Sequence, residues 1–587
     1  MKYNVITSVI LCSTLLSHTS IAEQKTSSIK LVEAGRYHAN IFDQSAAEIV
    51  SFDKKTQQTF VVNAQSGQID VINSQDIDHP TLAKHLNVKG DIKQHLKAQA
   101  GAANSVAVYD GLLAVAIEAK NKTDKGWVAF YNTQDLSFIS AQVLGALPDM
   151  VTFTPNGKQL LVALEGEPSE KNYAIDPEGE VAIIDIDWRN QGLITTTQLL
   201  NFSAFNRGAS RHNTLPQGVL FNGYQATVSQ DLEPEYIAVN EDSTKAYIAL
   251  QENNAIAIID LKQKRIERIV ALGLKDHLLA GNELDGNDKD KKALLTNQAL
   301  LGMYQPDSIA TARINGIDYL LTANEGDDRS DWVSGLSQAE CEQGHFYYHL
   351  EDQSCADDIK LKDAFSSDVY QPKLSSSQLD LTHFAKSGSL ANTVNRIKFS
   401  HSMTLKYGDL DGDGKVDRLL TFGGRSFSIW DMDSNTMVFD SGSDFERITA
   451  EKYGNQFNQS HSKLKAEDRS AKKGPEPEAL TVATINNKTY AFIGLERMGG
   501  IMVYDISQPN QAKFIQYLNS RDMSVDPKDN KKNKNEQGFA TYQVDAGDLG
   551  PEGFKFVHAK ASPTGTPILI VGNEVSGTTR FYRIESK

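Results

Sequence analysis

The sequence predicts an all-β fold, a β-propeller of seven blades with long polar insertions, and three observations favour this architecture. A pattern of short strands rich in β-branched and aromatic residues recurs seven times along the chain. Asn, Asp and Gly turns join the strands within each copy. Isolated hairpins are barely stable, whereas a closed ring of such sheets buries both faces of each sheet and absorbs 587 residues without splitting into domains.

Each copy follows one order of residues. An acidic residue comes after a proline, a strand and a turn follow, a second strand ends in Glu, and a third strand ends near an Asp. The pattern is clearest over residues 234–260 and 477–505. Further copies begin at Pro148, Pro306 and Pro551, and weaker ones near Glu48 and Ser105. Six or eight blades stay open, since residues 418–439 form either an eighth blade or the outer half of the fifth.

The N-terminus has the features of a secretory signal. Lys2 is followed by an apolar run over residues 5–16, and Ser20 and Ala22 are small residues at the −3 and −1 positions of a cleavage site. We therefore predict a signal peptide over residues 1–22, cleaved after Ala22, and a periplasmic or secreted protein. Residues 23–587 are expected to form a single domain without a membrane span.

The charge balance limits the partners. The chain has 75 acidic and 59 basic residues and a formal net charge of −16. This excess argues against a nucleic-acid partner, which requires a basic surface, and is compatible with divalent cations.

Two cysteines remain after the signal peptide, Cys341 and Cys355. In an oxidising compartment they predict one disulfide. Both lie in a polar insertion of about residues 327–396, and residues 444–474 and 520–548 form two further charged stretches. Loops of this length are either functional lids or solvated linkers.

The most specific local motif is the acidic loop over residues 409–417. Acidic residues at positions 1, 3 and 5, glycine at position 6, a backbone carbonyl at position 7 and Asp at position 9 are typical of an EF-hand-like loop that binds Ca²⁺. Position 12 is Leu420 and a strand follows, so a last ligand must come from elsewhere; the alternative is an Asp/Gly turn without metal. The predicted ligands of this structural Ca²⁺ are the side chains of Asp409, Asp411, Asp413 and Asp417 and the carbonyl of Lys415.

The repeat also predicts a ring of carboxylates, because the inner strands of a propeller begin near one mouth of its channel. The acids after the prolines and the glutamates that end the second strands form two equivalent sets. So many convergent carboxylates repel one another unless they are protonated, hydrogen-bonded or shared by cations, here further Ca²⁺ or a transition metal. The alternative for the glutamates is a structural latch that accepts backbone N–H groups. The first set is Asp149, Glu235, Asp307, Glu478 and Glu552, and the second is Glu165, Glu252, Glu325, Glu496 and Glu574.

Arginines follow several of these acids, and guanidinium groups suit phosphate. Arg425 and Arg497 are the candidate catalytic residues, with ordinary ion pairs as the alternative. Metals and arginines in one opening favour recognition of a small phosphorylated substrate.

Several segments resemble the choice-of-anchor I family over nearly all of the chain after the signal peptide. Among them are residues 147–150 (LPDM), 164–169 (LEGEPS), 231–237 (DLEPEYI), 323–327 (ANEGD), 422–430 (FGGRSFSIW), 474–478 (GPEPE) and 550–553 (GPEG). The family is similar to a mesenchyme-specific cell-surface glycoprotein and includes atypical alkaline phosphatase-like proteins. The resemblance implies a metal-bearing propeller but supplies no agreed catalytic set. The chain stops soon after the last strand, so we expect no C-terminal anchor.

Two functions follow as hypotheses. The first is a metal-dependent phosphatase or phosphodiesterase. The second is a calcium-stabilised propeller that binds a surface ligand or mediates adhesion without chemistry. We expect a monomer in either case. A lactonase-like or sugar-oxidising propeller lacks the His and cofactor signals such chemistry needs.

Overall fold

A computed structural model describes residues 28–189, 192–366, 370–371, 378–380, 396–535, 538–542 and 544–587. The predicted signal peptide lies outside this range. Among the described residues, no helix is long and apolar enough to cross a membrane.

The predicted propeller fold is confirmed by antiparallel four-stranded sheets, which we number along the chain. The N-terminal strand β1 (Ile29–His38) belongs to the last of them. Sheet 1 contains β2 (Val50–Asp53), β3 (Gln58–Asn63), β4 (Gln68–Asn73) and β5 (Thr81–Leu86). Sheet 2 contains β6 (Ala100–Tyr109), β7 (Leu112–Ala119), β8 (Lys125–Asn132) and β9 (Phe138–Ala146). Sheet 3 contains β10 (Pro148–Phe153), β11 (Gln159–Leu164), β12 (Glu180–Arg189) and β13 (Gly192–Asn201).

The remaining four-stranded sheets carry the longer insertions. Sheet 4 contains β14 (Ile237–Val239), β15 (Lys245–Leu250), β16 (Ala255–Asp260) and β17 (Arg265–Ala271). Sheet 5 contains β20 (Ile309–Ile314), β21 (Ile317–Asn324), β28 (Ser426–Asp431) and β29 (Thr436–Asp440). Sheet 6 contains β30 (Pro477–Ile485), β31 (Lys488–Leu495), β32 (Ile501–Asp505) and β33 (Lys513–Leu518). Sheet 7 contains β34 (Pro551–Val557), β35 (Ile568–Asn573), β36 (Thr578–Ser586) and β1.

The first strand of each sheet faces the centre. In the order β2, β6, β10, β14, β20, β30 and β34, each contacts the next, and β34 contacts β2. Sheet 7 joins the first and last described strands, because β1 pairs antiparallel with β36 along the outer edge. This pairing closes the ring without a covalent link and covers an edge that would otherwise stay unpaired.

Apolar side chains between neighbouring sheets form the core. Ile183 of sheet 3 and Ile248 of sheet 4, for example, are fully buried in one cluster. Burying one such side chain contributes about 1.5–3 kcal/mol. Successive side chains of each strand point to opposite faces of the sheet and pack against the two neighbouring sheets. This packing fixes the position of the residues at the strand ends that face the central channel.

Residues 418–439 are divided between two sheets. β28 and β29 are the outer half of sheet 5, the second of the two alternatives that the sequence leaves open. β27 (Leu419–Phe422) instead pairs in parallel with β19 (Leu300–Met303), which also pairs with β18 (Leu274–Asp276). The long insertion in sheet 5 therefore leaves the propeller and returns to it.

The insertions contain short elements, and the predicted disulfide between Cys341 and Cys355 is present. The small strands are β22 (Tyr347–His349), β23 (Ser354–Ala356), β24 (Asp358–Lys360), β25 (Tyr370–Gln371) and β26 (Lys398–Ser400). The helices are α1 (Val88–Leu96), α2 (Val228–Asp231), α3 (Ser330–Val333), α4 (Gln338–Gln343), α5 (Leu361–Ser366), α6 (His401–Tyr407) and α7 (Asp444–Tyr453).

Candidate functional site

All ten acids predicted from the repeat line one cavity of about 510 Å³ at the mouth where the inner strands begin. The first set lies at the start of five inner strands and the second set follows the adjacent strands. An adjoining cavity of about 360 Å³ shares Asp149, Glu165, Asp307, Glu478 and Glu552 with it. The in-phase repeat therefore does bring these carboxylates together.

β-bulges aim part of the first set at the axis. β10 pairs with β11 at Pro148 and next at Val151, so Asp149 is left out of the ladder. The same shift occurs around Glu478 in β30 and Glu552 in β34. A bulge leaves its extra residue unpaired and re-aims its side chain. The proline before each acid is compatible with this break, because it lacks an N–H to donate.

The second set is anchored through its backbone. The N–H of Glu165 donates to Leu147 O, that of Glu496 to Glu476 O, and that of Glu574 to Gly550 O. The side chains stay in the cavity lining, and within the described residues no backbone N–H of a neighbouring sheet donates to any of the five. This geometry differs from the latch that the sequence leaves as an alternative.

Several of these carboxylates have an oxygen without a hydrogen-bond partner. The orphan atoms include Oε2 of Glu235, Glu478 and Glu552, and Glu235 is only 8% exposed. A buried carboxylate without compensation is costly in its charged form. A cation with oxygen ligands would satisfy such atoms.

Burial and mutual repulsion change the ionisation of the cavity. Burial, followed by the charges of neighbouring carboxylates, raises the pKa of Asp149 to about 7 and that of Glu574 to about 8. The same causes hold the pKa values of Glu235, Glu478 and Glu552 well above the usual range. Without a cation, the cavity therefore retains protons at neutral pH.

Basic side chains occupy one wall. Lys473 Nζ donates to Glu325 Oε1 at 2.7 Å and lies 3.3 Å from Glu476 Oε2. Arg497 Nε donates to Glu476 Oε2 at 3.0 Å and lies 3.0 Å from Glu496 Oε2. Burial alone raises the pKa of Glu476, but Arg469, Arg497 and Lys473 hold it well below its usual range. We call Glu476 and these three cations the basic wall.

Two cavity residues that sequence reasoning missed follow a recurring Glu-Gly-acid turn. Glu167 comes after Glu165 and Gly166, and Asp327 comes after Glu325 and Gly326. Gly326 has φ +92°, and a Cβ there would lie 2.1 Å from the backbone N of Gly423. The turn thus requires glycine and places both of its acids at the cavity, so the repeated tripeptide was an available signal.

Other missed residues gave little or no signal. Glu48 lines the adjoining cavity, has a ligand atom within 4.8 Å of those of Glu552 and Glu574, and marks the first, weak copy of the repeat. His461 and Lys473 come from the charged stretch before sheet 6, where no periodicity marks them. Trp332 of α3 also lines the cavity and comes from the insertion that contains the disulfide.

Of the two candidate catalytic arginines, only Arg497 lines the cavity. Arg425 is 4% exposed and its guanidinium is used inside the protein. It donates to Glu446 Oε1 at 2.8 Å and to the carbonyl oxygens of Asp285, Ser470 and Lys472. The expectation that Arg425 binds substrate is therefore corrected, because burial and these four acceptors give the side chain a structural role.

The predicted Ca²⁺ loop folds on itself between α6 and β27. Asp409 accepts the N–H groups of Gly412 and Gly414 at 2.7 and 2.9 Å, and Asp417 Oδ2 accepts that of Leu410 at 2.7 Å. Carboxylate oxygens of Asp409, Asp411 and Asp417 lie within 4.8 Å of one another. Asp413 and Lys415 are not in this cluster; the N–H of Lys415 donates to Asp413 Oδ1 at 2.8 Å. Ca²⁺ binding here stays a prediction.

Within the described residues, four groups of side chains in or beside the two cavities have ligand atoms within 4.8 Å of one another. The donors suit metal ions, since three groups offer only carboxylates and the fourth adds a histidine. The groups are Asp307–Glu325–Glu478, Glu48–Glu552–Glu574, Glu325–Glu476–Glu496 and His461–Glu496–Glu574.

Comparison with protein families gives a clear result. The model of the choice-of-anchor I domain matches residues 48–509. The chain belongs to the choice-of-anchor I family. Membership of this family implies an extracellular or surface protein.

Similarity to individual proteins is weaker. Gigasin-3a of Magallana gigas is 30% identical over 181 residues, which cover 29% of this choice-of-anchor I protein and 60% of the relative. Kuenenia stuttgartiensis hydrazine synthase matches with a TM-score of 0.42 at 10% identity, over 92% of this chain and 96% of the other. The β-propeller domain of Myceliophteria thermophila Cps50 (Swd1) matches with a TM-score of 0.39 at 8% identity, over 93% and 99%. Neither structural score bears on function.

Proposed function

We propose that this exported propeller is a metal-dependent phosphoester hydrolase whose active site is the acidic cavity. The observation that carries the proposal is that acidic and basic side chains line the same cavity. Carboxylates with unpartnered oxygens face the cavity beside Arg497 and Lys473. A phosphate group cannot approach carboxylates alone, because like charges repel, but it can approach them when cations lie between.

The residues fit hard cations. Asp307, Glu325 and Glu478 would hold one cation, and Glu48, Glu552 and Glu574 another. Such a cation, when bound, would supply Lewis-acid stabilisation of phosphoryl oxygens and lower the pKa of a water ligand.

The side chains of the chain itself would orient the substrate. The side chain of Arg497 is 22% exposed and belongs to the cavity lining, so its guanidinium can donate to phosphoryl oxygens. Lys473 would add a second positive charge on the same side. Glu476 holds both cations in place from behind.

The direct test is turnover of p-nitrophenyl phosphate and bis-p-nitrophenyl phosphate by the purified protein. We expect hydrolysis with Ca²⁺, Mn²⁺ or Zn²⁺, loss of turnover after EDTA, and recovery on adding the metal back. Arg497→Lys should lower kcat/KM by about 10²–10³-fold, because it removes the guanidinium donors but keeps the charge.

Arg447→Lys is the matched control, since Arg447 is an exposed arginine that pairs with Glu451 on α7. It should leave kcat/KM unchanged. No turnover of either ester with any of the three metals would reject the hydrolase.

A second candidate is a cation-stabilised propeller that binds a surface ligand without chemistry. The observation in its favour is that Arg497 and Lys473 already pair with protein carboxylates. Under this alternative, Glu478→Gln and Glu552→Gln alter stability or ligand binding but abolish no reaction. The turnover assay with the two nitrophenyl esters distinguishes the two possible partners, a small phosphorylated substrate and a surface ligand.

A further inference from the structure

One charged side chain of the central channel takes no part in the acidic cavity. Behind the two cavities described above, the inner strands of all seven sheets line a third cavity of about 420 Å³. It adjoins the second cavity, because Ile49, Ser105, Met150 and Tyr236 line both. Lys555 of β34 is the only charged residue that the described part of the chain contributes to this third lining.

Lys555 departs from the pattern of the repeat. It lies three residues after Glu552, whereas the residue three positions after each of the other five acids that begin a copy is an uncharged Ser, Thr or Ala. Three residues of a strand span about 10 Å, so these positions form a layer of the channel farther from the mouth than the acids. All six pair with the second strand of their sheet and line the third cavity: Ser51, Thr152, Ala238, Ala310, Thr481 and Lys555.

The ammonium group of Lys555 lacks a counter-charge from the described residues. The side chain is half-buried, and it forms neither an ion pair nor a hydrogen bond with any of them. Burial lowers the pKa of Lys555, and no neighbouring carboxylate acts in the opposite direction. An ammonium group that is removed from water without a partner is costly, and an anion from solvent offsets that cost.

Other hydrogen-bond donors lie around the lysine. β34 is the inner edge of sheet 7, so it pairs on one side only and directs part of its backbone N–H groups towards the channel. Its neighbours in the ring, β30 and β2, carry the hydroxyl groups of Thr481 and Ser51 in the same layer. An ammonium group with hydroxyl and N–H donors suits a tetrahedral oxyanion, which offers several acceptor atoms, better than a halide.

We propose that Lys555 is the centre of an anion-binding site in the channel, which takes a small inorganic oxyanion such as phosphate. The acids at the mouth do not prevent binding, because they begin their strands about 10 Å away and retain protons at neutral pH. One axis would thus hold cations and an anion in separate layers. The proposal concerns binding alone and does not rest on hydrolysis, so either can fail without the other.

Calorimetric titration of inorganic phosphate tests the proposal. The protein is stripped with EDTA and dialysed, which removes cations that would otherwise hold phosphate at the mouth. We expect one phosphate per chain with a Kd below about 1 mM, and chloride at the same concentration should not displace it. Absence of binding, or displacement by equimolar chloride, would overturn the oxyanion site.

Lys555→Met removes the charge and keeps the length of the side chain, so phosphate affinity should fall at least about tenfold. Lys122→Met is the matched control, since Lys122 lines the second cavity and already lies 3.6 Å from Glu167 Oε2. This control should leave the affinity within about twofold. An unchanged affinity in Lys555→Met, as expected for phosphate bound at the basic wall, would contradict the proposal, and so would an equal loss in both variants.

A second measurement locates the anion without a substitution. Selenate is a tetrahedral oxyanion that scatters anomalously, so crystals of the unsubstituted protein soaked in selenate should show an anomalous peak within about 4 Å of Lys555 Nζ. Peaks confined to Arg497, Lys473 or the outer surface would reject the site, and this result decides even if circular dichroism shows Lys555→Met unfolded.

Discussion

Glu476 and Glu478 are two residues apart in the chain, yet Glu478 lines the cavity while Glu476 is buried behind it, and their surroundings are opposite. Glu476 is fully buried and lies against Arg469, Arg497 and Lys473. Glu478 has an oxygen without a partner and faces other carboxylates. The pKa of the first is lowered and that of the second raised. The comparison shows that a buried acid stabilises this protein only where the chain supplies its counter-charge; elsewhere a cation from solvent must do so.

The largest expected effect comes from breaking the basic wall. Glu476→Gln removes a counter-charge that three buried or half-buried cations share, and we expect a loss of about 3–5 kcal/mol in the free energy of unfolding. Urea or thermal unfolding followed by circular dichroism measures this loss. Glu451→Gln, an exposed partner of Arg447, is the control and should change stability by less than about 1 kcal/mol. An equal effect of both variants would contradict the structural role of Glu476.

The second effect is a dependence of stability on pH. The pKa values of Asp149 and Glu574 are raised in the folded state, to about 7 and about 8, so the folded protein holds protons that the unfolded chain releases near pH 4. Metal-free protein should therefore lose stability as the pH rises from 5 to 8, by up to about 1.4 kcal/mol per pH unit for each proton. Glu476 acts in the opposite direction: its contribution is present above the unfolded pKa and is lost as the pH falls further.

Thermal unfolding in EDTA at several pH values measures this slope. Added divalent cations should flatten it, because they replace the bound protons in offsetting the carboxylates. A metal-free protein that is equally stable at pH 5 and pH 8 would show that the cavity acids are neutralised within the chain.

A smaller effect of opposite sign is expected at Glu478. In EDTA at neutral pH, Glu478→Gln should raise the unfolding midpoint by the equivalent of about 1–2 kcal/mol, since it removes a buried carboxyl whose raised pKa in the folded state costs free energy of folding. In excess Ca²⁺ the same variant should be less stabilised than the unsubstituted protein, because it lacks a ligand. Differential scanning calorimetry in the two buffers checks the reversal, and stabilisation in both would argue against a cation at Asp307, Glu325 and Glu478.

The smallest effect concerns the loop over residues 409–417, which is more exposed than the cavity. Ca²⁺ should raise the thermal midpoint, and Asp411→Asn should remove the part of this rise that the loop contributes, about 1 kcal/mol or less. Asp433→Asn, in an exposed turn between β28 and β29, is the control. If Asp411→Asn behaves like Asp433→Asn, the loop is an Asp/Gly turn without metal.

Much of this architecture can be predicted from local patterns. Strand and turn residues recur in phase, so the propeller, the cavity position of Glu235 or Glu552, and the pairing of Cys341 with Cys355 follow from spacing and composition. The position of Arg425 could not be predicted from local patterns. It stands in a family-like motif beside strand β28, as Arg497 stands after β31, and only the path of residues 444–474 buries the first against Glu446 and leaves the second at the cavity.

Sequence patterns alone therefore specify the repeating sheets and the ten carboxylates at the central cavity. Each carboxylate occupies an equivalent position in its copy of the repeat, so the same strand geometry places all of them. The three-dimensional structure decides which of the acids are neutralised by the chain and which are left for a cation. His461 and Lys473 reach the cavity from a long loop, and Glu476 at the end of that loop lies behind the cavity wall. A loop's course is set by packing against distant residues rather than by any period in its own sequence. Charge pairing in this protein is a property of those tertiary contacts.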